Sequence, residues 1–370
     1  MTKIQMFYQF TIFLDGFKID YLQHAPYLRE QTTKHQHGEL EVPFGYTSII
    51  ASFVTGNHPD KHGVIDVFEK RTTPGFTIHN KHLAILTRLL TKNHYFYSPL
   101  QTNKANYFKT SMKKIWMQKG CLPQPTIFDI LEHNGKTFEA IDWPVHYQGR
   151  NMSLFFKNDA ATIMNKARKA QADFILIHFA DLDELGHKYG PESQEIINKI
   201  QEIDNYCKEL DEPDMIFFSD HGMDPITEHY NLEEELNKLG LTYGKDWEYF
   251  IASTYARFWY HNEEAKEKTE ILLKTLTQGK IINAKDYHLP PTQDTIYLAN
   301  KGIVFSPSFF TPTIDYKAMH GWDPKEQKAF YLIKKLPAKK EETHMINLMP
   351  TILDLMNLPY SPCDGKSLFK

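Results

Sequence analysis

Five short stretches of this sequence hold residue types that can do chemistry. Asp15 directly follows the apolar run Met6–Leu14 and precedes Gly16. A carboxylate there stands at the end of a strand, where it either ligates a cation or forms part of a turn. In Phe44–Gly63, FGYTSIIASFVTGNHPDKHG, hydroxyl residues open a helical stretch that stops at Thr55-Gly56. A hydroxyl at a helix N-terminus can cap the helix, and it also sits in a field that stabilises anions. Thr47 is the candidate nucleophile and Ser48 the second choice. Asp183 and His187 form D-x-x-x-H in ADLDELGHKYGP. Four residues apart on a helix, the two side chains face the same way and can chelate one cation or form an ordinary surface pair. Asp220 and His221, in IFFSDHGM, follow four apolar residues and a serine and precede a glycine that permits a sharp turn. A carboxylate and an imidazole converging at a strand end suit zinc or manganese. His320, in MHGWDP, is one of eighteen histidines. Most of these, His58 and His62 included, are expected at the surface or hydrogen-bonded in the core.

These residues need a scaffold that brings them to one place. Apolar runs of strand length, Met6–Leu14, Thr137–Asp142, Phe174–Phe179 and Met215–Phe218, alternate with helix-period stretches at Thr126–His133, Ala161–Ala172 and Gln194–Leu210. Further strands are expected at Ala256–Tyr260, Ile296–Ala299, Ile303–Phe305 and Ala329–Ile333, and helices at Glu264–Leu276 and Ile346–Met356. Near-continuous apolar strands alternating with helices imply an α/β fold, with a mostly parallel central sheet flanked by helices on both faces. Ligands of such sheets sit beyond the carboxyl ends of the strands, which is where Asp15, Asp183, Asp220 and His221 fall.

Length and composition fit this scaffold. A chain of 370 residues, 41% hydrophobic and 24% charged, can bury one large core with insertions. A net charge of −4 gives no overall bias toward nucleic acid or membrane. Cys121, Cys207 and Cys363 are scattered and odd in number, without C-x-x-C, so neither a disulfide framework nor a thiolate metal site is indicated. They fit a reducing compartment. The N-terminal run is broken by Gln9 and Thr11 and reads as a first buried strand rather than a signal peptide. No stretch approaches the ~18 apolar residues of a membrane span, and a cytoplasmic protein is expected. From Lys70 to Phe128 the chain carries ten Lys or Arg and no Asp or Glu, interleaved with Phe76, Tyr95, Phe96, Tyr97, Tyr107, Phe108 and Trp116. This insertion reads as a solvated partner face, as a cap that steers an anionic substrate, or as a surface for anionic membranes.

Taken in chain order, the five stretches form a constellation. TGNHPDKHG, DELGHKYGP and FFSDHGM, supported by STYARFWY (Ser253–Tyr260) and the ending MPTILDLMNLPYSPCDGKSL, resemble the alkaline phosphatase superfamily, and within it the type I phosphodiesterase/nucleotide pyrophosphatase group. The resemblance implies an alkaline phosphatase-like domain over 1–370; the basic segment, which it accounts for least, is expected as an inserted cap at 68–125, and a smaller α+β sub-lobe is expected at 226–318. The resemblance also implies two divalent metal ions, usually Zn2+ with Mn2+ as the alternative. One would be held by Asp15, Asp220, His221 and the nucleophile Thr47, the other by Asp183, His187 and His320. The implied activity is metal-dependent phosphodiester hydrolysis through a phosphothreonine on a small anionic substrate (a nucleotide, lipid or glycan phosphodiester) rather than a nucleic-acid polymer. Phosphomonoesterase and phosphotransferase activities belong to the same superfamily, and a non-catalytic anion-binding protein is the alternative from another class.

Two departures from the family pattern stand out. The Asn that related pyrophosphatases place after the Pro-x-x-His-Gly loop, where it holds a phosphoryl oxygen, falls on Val67 here. The usual spacing back from Thr55-Gly56 places the nucleophile on Tyr46, so Thr47 implies a one-residue deletion.

Overall fold

The computed structural model describes residues 9–73, 104, 106–110, 120, 122–143, 158–310 and 315–369. Its centre is a seven-stranded sheet built from β1 (Gln9–Leu14), β2 (His35–Glu41), β5 (Phe138–Ile141), β6 (Phe174–Phe179), β7 (Met215–Phe218), β16 (Ala329–Pro337) and β17 (Thr343–His344). The order is β17-β2-β16-β7-β1-β6-β5. Only β16 runs against its neighbours; the β1–β6, β1–β7, β5–β6 and β17–β2 pairs are parallel. The inner strands β1, β6 and β7 are largely apolar because both of their faces are covered. On one face Phe13, Leu176, Phe218 and Tyr331 pack against the helices Ser48–Thr55, Ile127–His133 and Leu348–Leu355. On the other, Ile12, Ile177, Phe217 and Leu332 pack against Pro26–Thr32, Ala160–Ala167 and Gln194–Leu210.

The longest of these helices shows why the sequence folds this way. Ser193 caps it by accepting the Ile196 N–H, and Ile196, Ile200, Ile203 and Cys207 form its buried stripe. The helix expected over Ala161–Ala172 stops at Ala167, because the polar stretch Arg168–Gln171 unwinds through short-range turns toward β6. Strand β2, HQHGELE, has too few apolar residues to read as a strand, yet its burial alternates with Gln36, Gly38 and Leu40 inside. A Cβ on Gly38 would stand 2.0 Å from the Glu341 carbonyl oxygen, so only glycine lets that segment lie against the strand.

Between β7 and β16 the chain builds a smaller lobe. Its four antiparallel strands are β10 (Trp247–Ile251), β11 (Tyr255–Tyr260), β12 (Gly279–Ile282) and β13 (Thr295–Ala299), in the order β10-β11-β13-β12 and backed by the helix Glu263–Thr275. An aromatic core of Trp247, Tyr249, Phe250, Tyr255, Phe258 and Tyr297 holds it together. The lobe joins the sheet through two strand pairs. One couples β8 (Asp224–Pro225) to β15 (Ala318–Met319), the other β9 (Glu228–Tyr230) to β14 (Ile303–Phe305).

The described parts of the basic segment join this lobe. Strands β3 (Phe68–Lys70) and β4 (Phe108–Thr110) pair, and Phe108 packs on Phe250, Trp259 and Phe309. Lys104 is buried against Glu233 and the Tyr249 hydroxyl. Residues 74–103 and 111–119, with Phe76, Tyr95, Phe96, Tyr97 and Trp116, lie outside the described residues. So does the beginning of the run read as Met6–Leu14. No helix among the described residues is long and apolar enough to cross a membrane.

The central strands carry the stability. Phe217 of β7 is fully buried, so Phe217→Ala is expected to lower the unfolding free energy by about 3–5 kcal/mol. Urea titration followed by circular dichroism measures this. A loss below about 1 kcal/mol would contradict tight packing around β7.

Candidate metal centre and nucleophile

The chemical residues meet beyond the carboxyl ends of β1, β6 and β7. Asp15 leaves β1 with its N–H donated to the Phe179 carbonyl (3.0 Å), and the next N–H, of Gly16, reaches Asp220 Oδ1 at 3.2 Å. Gly16 has φ +76°, and a Cβ there would come within 3.3 Å of the Asp183 backbone. Glycine therefore lets the β1 end and the Asp183 turn approach closely. The helix Asp181–Tyr189 follows β6 directly and presents Asp183 and His187 on one face, with Oδ1 and Nε2 3.2 Å apart. Asp220 and His221 follow β7. His320 arrives on the other side, immediately after β15.

The imidazoles are oriented by the main chain. His187 Nδ1 donates to the Ala318 carbonyl and His221 Nδ1 to the Gly222 carbonyl, both at 2.9 Å, which turns each Nε2 toward the carboxylates. His221 Nε2 lies 3.3 Å from Asp15 Oδ1, 3.3 Å from Asp220 Oδ2 and 3.8 Å from Asp183 Oδ1. His320 Nε2 lies 3.5 Å from Asp183 Oδ1, and its ring stacks on His221 with centroids 3.5 Å apart and planes within 2°. The loop after His320 is fixed by Thr254, which donates to the Gly321 carbonyl, and by Gln327, which accepts the Gly321 N–H.

Two donor groups result. Asp183, His187 and His320 form one, and Asp15, Asp183 and His221 the other; within each group the donor atoms lie within 4.8 Å of one another. Asp183 thus belongs to both. Asp220, expected beside Asp15 and His221, flanks the second group while its Oδ1 accepts from Gly16. Carboxylate oxygens and imidazole nitrogens in threes fit divalent zinc or manganese.

The charges point the same way. Burial, then the Asp15 charge, pushes the Asp220 carboxyl up. Burial and Asp183 push Asp15 up as well, but hydrogen bonds from His178 and His221 outweigh them and hold it low. Burial alone would strip His221 of its proton; Asp220 and Asp15 instead raise its pKa to about 10. His320, buried and facing the cationic forms of His221 and His187, is held well below the ordinary histidine value. Buried carboxylates this close together require compensating positive charge, from protons or from cations.

Thr47 and Ser48 separate clearly. Ser48 is fully buried and its hydroxyl donates to the Phe44 and Gly45 carbonyls at 2.5 and 3.1 Å. Thr47 is the N-cap residue of Ser48–Thr55, makes no side-chain capping bond, and its buried Oγ1 has no hydrogen-bond partner among the described residues. Tyr46, the position given by family spacing, has its ring edge-on to His320 at 5.4 Å and its hydroxyl on Thr254. Val67 packs toward the lobe core, and its N–H donates to Asp66. His62 bonds Ser52 and the Val64 N–H within the core, and His58 stacks on His288, both away from the donor groups.

The family model described as type I phosphodiesterase / nucleotide pyrophosphatase matches residues 10–323. The chain belongs to this family. Mouse ectonucleotide pyrophosphatase/phosphodiesterase family member 7 is 25% identical over 201 residues, a stretch covering 45% of this chain and 45% of that one. The chain thus spans under half the length of that relative. Human family member 5 is 23% identical over 398 residues, covering 95% of this chain and 74% of its own. Murine member 5 superposes with a TM-score of 0.69 at 16% identity, covering 97% of both chains. Phosphonoacetate hydrolase from Sinorhizobium meliloti 1021 does so at 0.69 and 13% identity, over 94% of this chain and 95% of that one. The α/β architecture, with its mostly parallel sheet between helices, is the fold of these solved neighbours.

Cation binding at this centre must displace protons. Burial works against the His221 proton, but Asp220 and Asp15 favour it and hold the imidazole in its charged form, whereas a ligating imidazole is neutral. Calorimetric titration of zinc at pH 7, in two buffers of different ionisation heat, is expected to show net proton release. Apparent affinity should rise about tenfold per pH unit for each proton released. Identical heats in the two buffers would contradict this charge balance.

Proposed function

We propose that this chain is a metal-dependent phosphodiester hydrolase that uses Thr47 as nucleophile. The observation that carries the reading is the Thr47 hydroxyl, which is buried, unpartnered and placed at a helix N-terminus whose preceding residue packs on His320. Asp183, His187 and His320 would hold one divalent cation. Asp15 and His221, with Asp183 between the groups and Asp220 alongside, would hold the other. Such cations supply positive charge that eases ionisation of a hydroxyl and neutralises phosphoryl oxygens.

The residues of the chain do the rest. The first N–H groups of Ser48–Thr55 lack intrahelical acceptors and point toward an anion at the helix start. Thr47 Oγ attacks phosphorus in line, its bond to phosphorus forming as the bond to the leaving alkoxide breaks. The alkoxide leaves as the alcohol after taking a proton. Water then attacks the phosphothreonine, releasing the phosphate monoester and restoring the threonine hydroxyl. Positioning and preorganised charge, rather than acid–base chemistry from a mobile side chain, carry the rate. A small nucleotide-type phosphodiester is the substrate class that fits the family. Murine member 5 has been solved, in an inactive T72A form, in complex with AMP.

Thr47→Ala is expected to abolish turnover, by at least about 10³-fold, while leaving folding and metal content intact. Ser48→Ala is expected to lower stability and retain the Thr47-dependent chemistry. Activity lost in Ser48→Ala and kept in Thr47→Ala would reverse the assignment. Separately, the metal-stripped chain restored with zinc or manganese should hydrolyse a chromogenic phosphodiester in preference to the matching monoester. Preference for the monoester would make the protein a phosphatase of the same superfamily.

A further inference from the structure

His178 is the one ionisable side chain in the apolar strand β6, and it is 1% exposed. Its ring stacks on Phe13 of the neighbouring strand, centroids 4.5 Å apart and planes within 14°, and meets Trp143 edge-on. A histidine enclosed by aromatic rings has few places to satisfy its nitrogens. Nδ1 lies 2.9 Å from the Asp142 carbonyl, which can only accept, so Nδ1 donates. Nε2 lies 3.0 Å from Asp15 Oδ2.

The two oxygens of Asp15 therefore have different surroundings. Oδ2 is engaged by His178, and Oδ1 faces His221 Nε2 at 3.3 Å, within the donor group that also includes Asp183. We propose that His178 is the positioning residue of the second cation site: it engages one oxygen of Asp15 so that the other is presented as a single-atom ligand. The proposal rests on the two-cation reading above.

The far end of this contact is also fixed. Asp142 lies at the end of β5 with φ +56°, a left-handed conformation that residues with side chains seldom adopt and that Asp tolerates better than most. Its side chain accepts from Asn158, which holds the residue in place and keeps its carbonyl directed at His178. From the half-buried Asn158 through Asp142 and His178 to Asp15, three hydrogen bonds lead to the ligand. Outer contacts of this kind set ligand orientation and typically change metal affinity by about 10- to 100-fold when removed.

The test measures cation content and affinity by elemental analysis under chelator competition, together with thermal unfolding, for the wild type, His178→Ala, His178→Asn and His178→Gln. Asn can still donate to the Asp142 carbonyl but is too short to reach Asp15; Gln can donate to Asp15 Oδ2. The expected result is one cation weakened by about 10- to 100-fold in the Ala and Asn variants, with the other retained and the affinity partly recovered in Gln. The role of His178 is overturned if the wild type binds two cations and the Ala and Asn variants bind both as tightly. It is also overturned if both cations weaken equally in step with a lowered melting temperature, or if Gln recovers no more than Asn. A wild-type chain that holds no divalent cation would instead overturn the two-cation reading itself.

Discussion

Three carboxylates, Asp15, Asp183 and Asp220, share one water-poor corner at the end of the sheet, and their mutual repulsion is the constraint the rest of the site answers. No single strand could hold them there; each leaves a different one of the adjacent strands β1, β6 and β7. Parallel pairing across these strands keeps their ends level, so the turns that follow deliver the acids to the same height. Gly16 removes the side chain that would hold the β1 and β6 turns apart. His187 and His221 then enter with Nδ1 bonded to main-chain carbonyls, leaving Nε2 among the acids. Charge crowding that would unfold an ordinary core becomes a stored affinity for cations.

The same economy governs the hydroxyls. Ser48 and Thr47 are adjacent and of similar chemistry, yet one is tied to two carbonyls and the other to nothing. A threonine that begins a helix without capping it leaves the local turn with an unsatisfied group, an arrangement of lower intrinsic stability. Such local conflict is what the proposed role of Thr47 accounts for. The aromatic neighbours Tyr46 and Tyr255, stacked 5.7 Å apart and bonded to Thr254 and Asp66, keep this turn from relaxing.

Much of this was legible beforehand. The strands Phe174–Phe179 and Met215–Phe218 and the helix Gln194–Leu210 follow from continuous apolar runs and a clean helical stripe. The seven candidate site positions were singled out by their motifs and by the family resemblance, and six of them, Asp15, Asp183, His187, Asp220, His221 and His320, converge beyond the strand ends. What stayed hidden depends on partners distant in sequence. Strand β2 takes its burial from β16 and the segment around Glu341 rather than from its own polarity. Asp183 serves both donor groups because of how far its turn advances toward Asp15, which spacing along the chain cannot show. His178 gives no signal in the sequence, since its partners Asp15 and Asp142 lie 163 and 36 positions away.

The smaller lobe leaves the sheet just after His221 and returns just before His320, and these two rings lie face to face at 3.5 Å. The excursion of nearly a hundred residues therefore begins and ends at almost the same point in space, pinned at both ends by the two stacked imidazoles. A loop closed so tightly at its base can be lengthened, shortened or exchanged at small entropic cost. In evolutionary terms the lobe is a unit that can be exchanged whole while the facing pair His221 and His320 keeps its geometry.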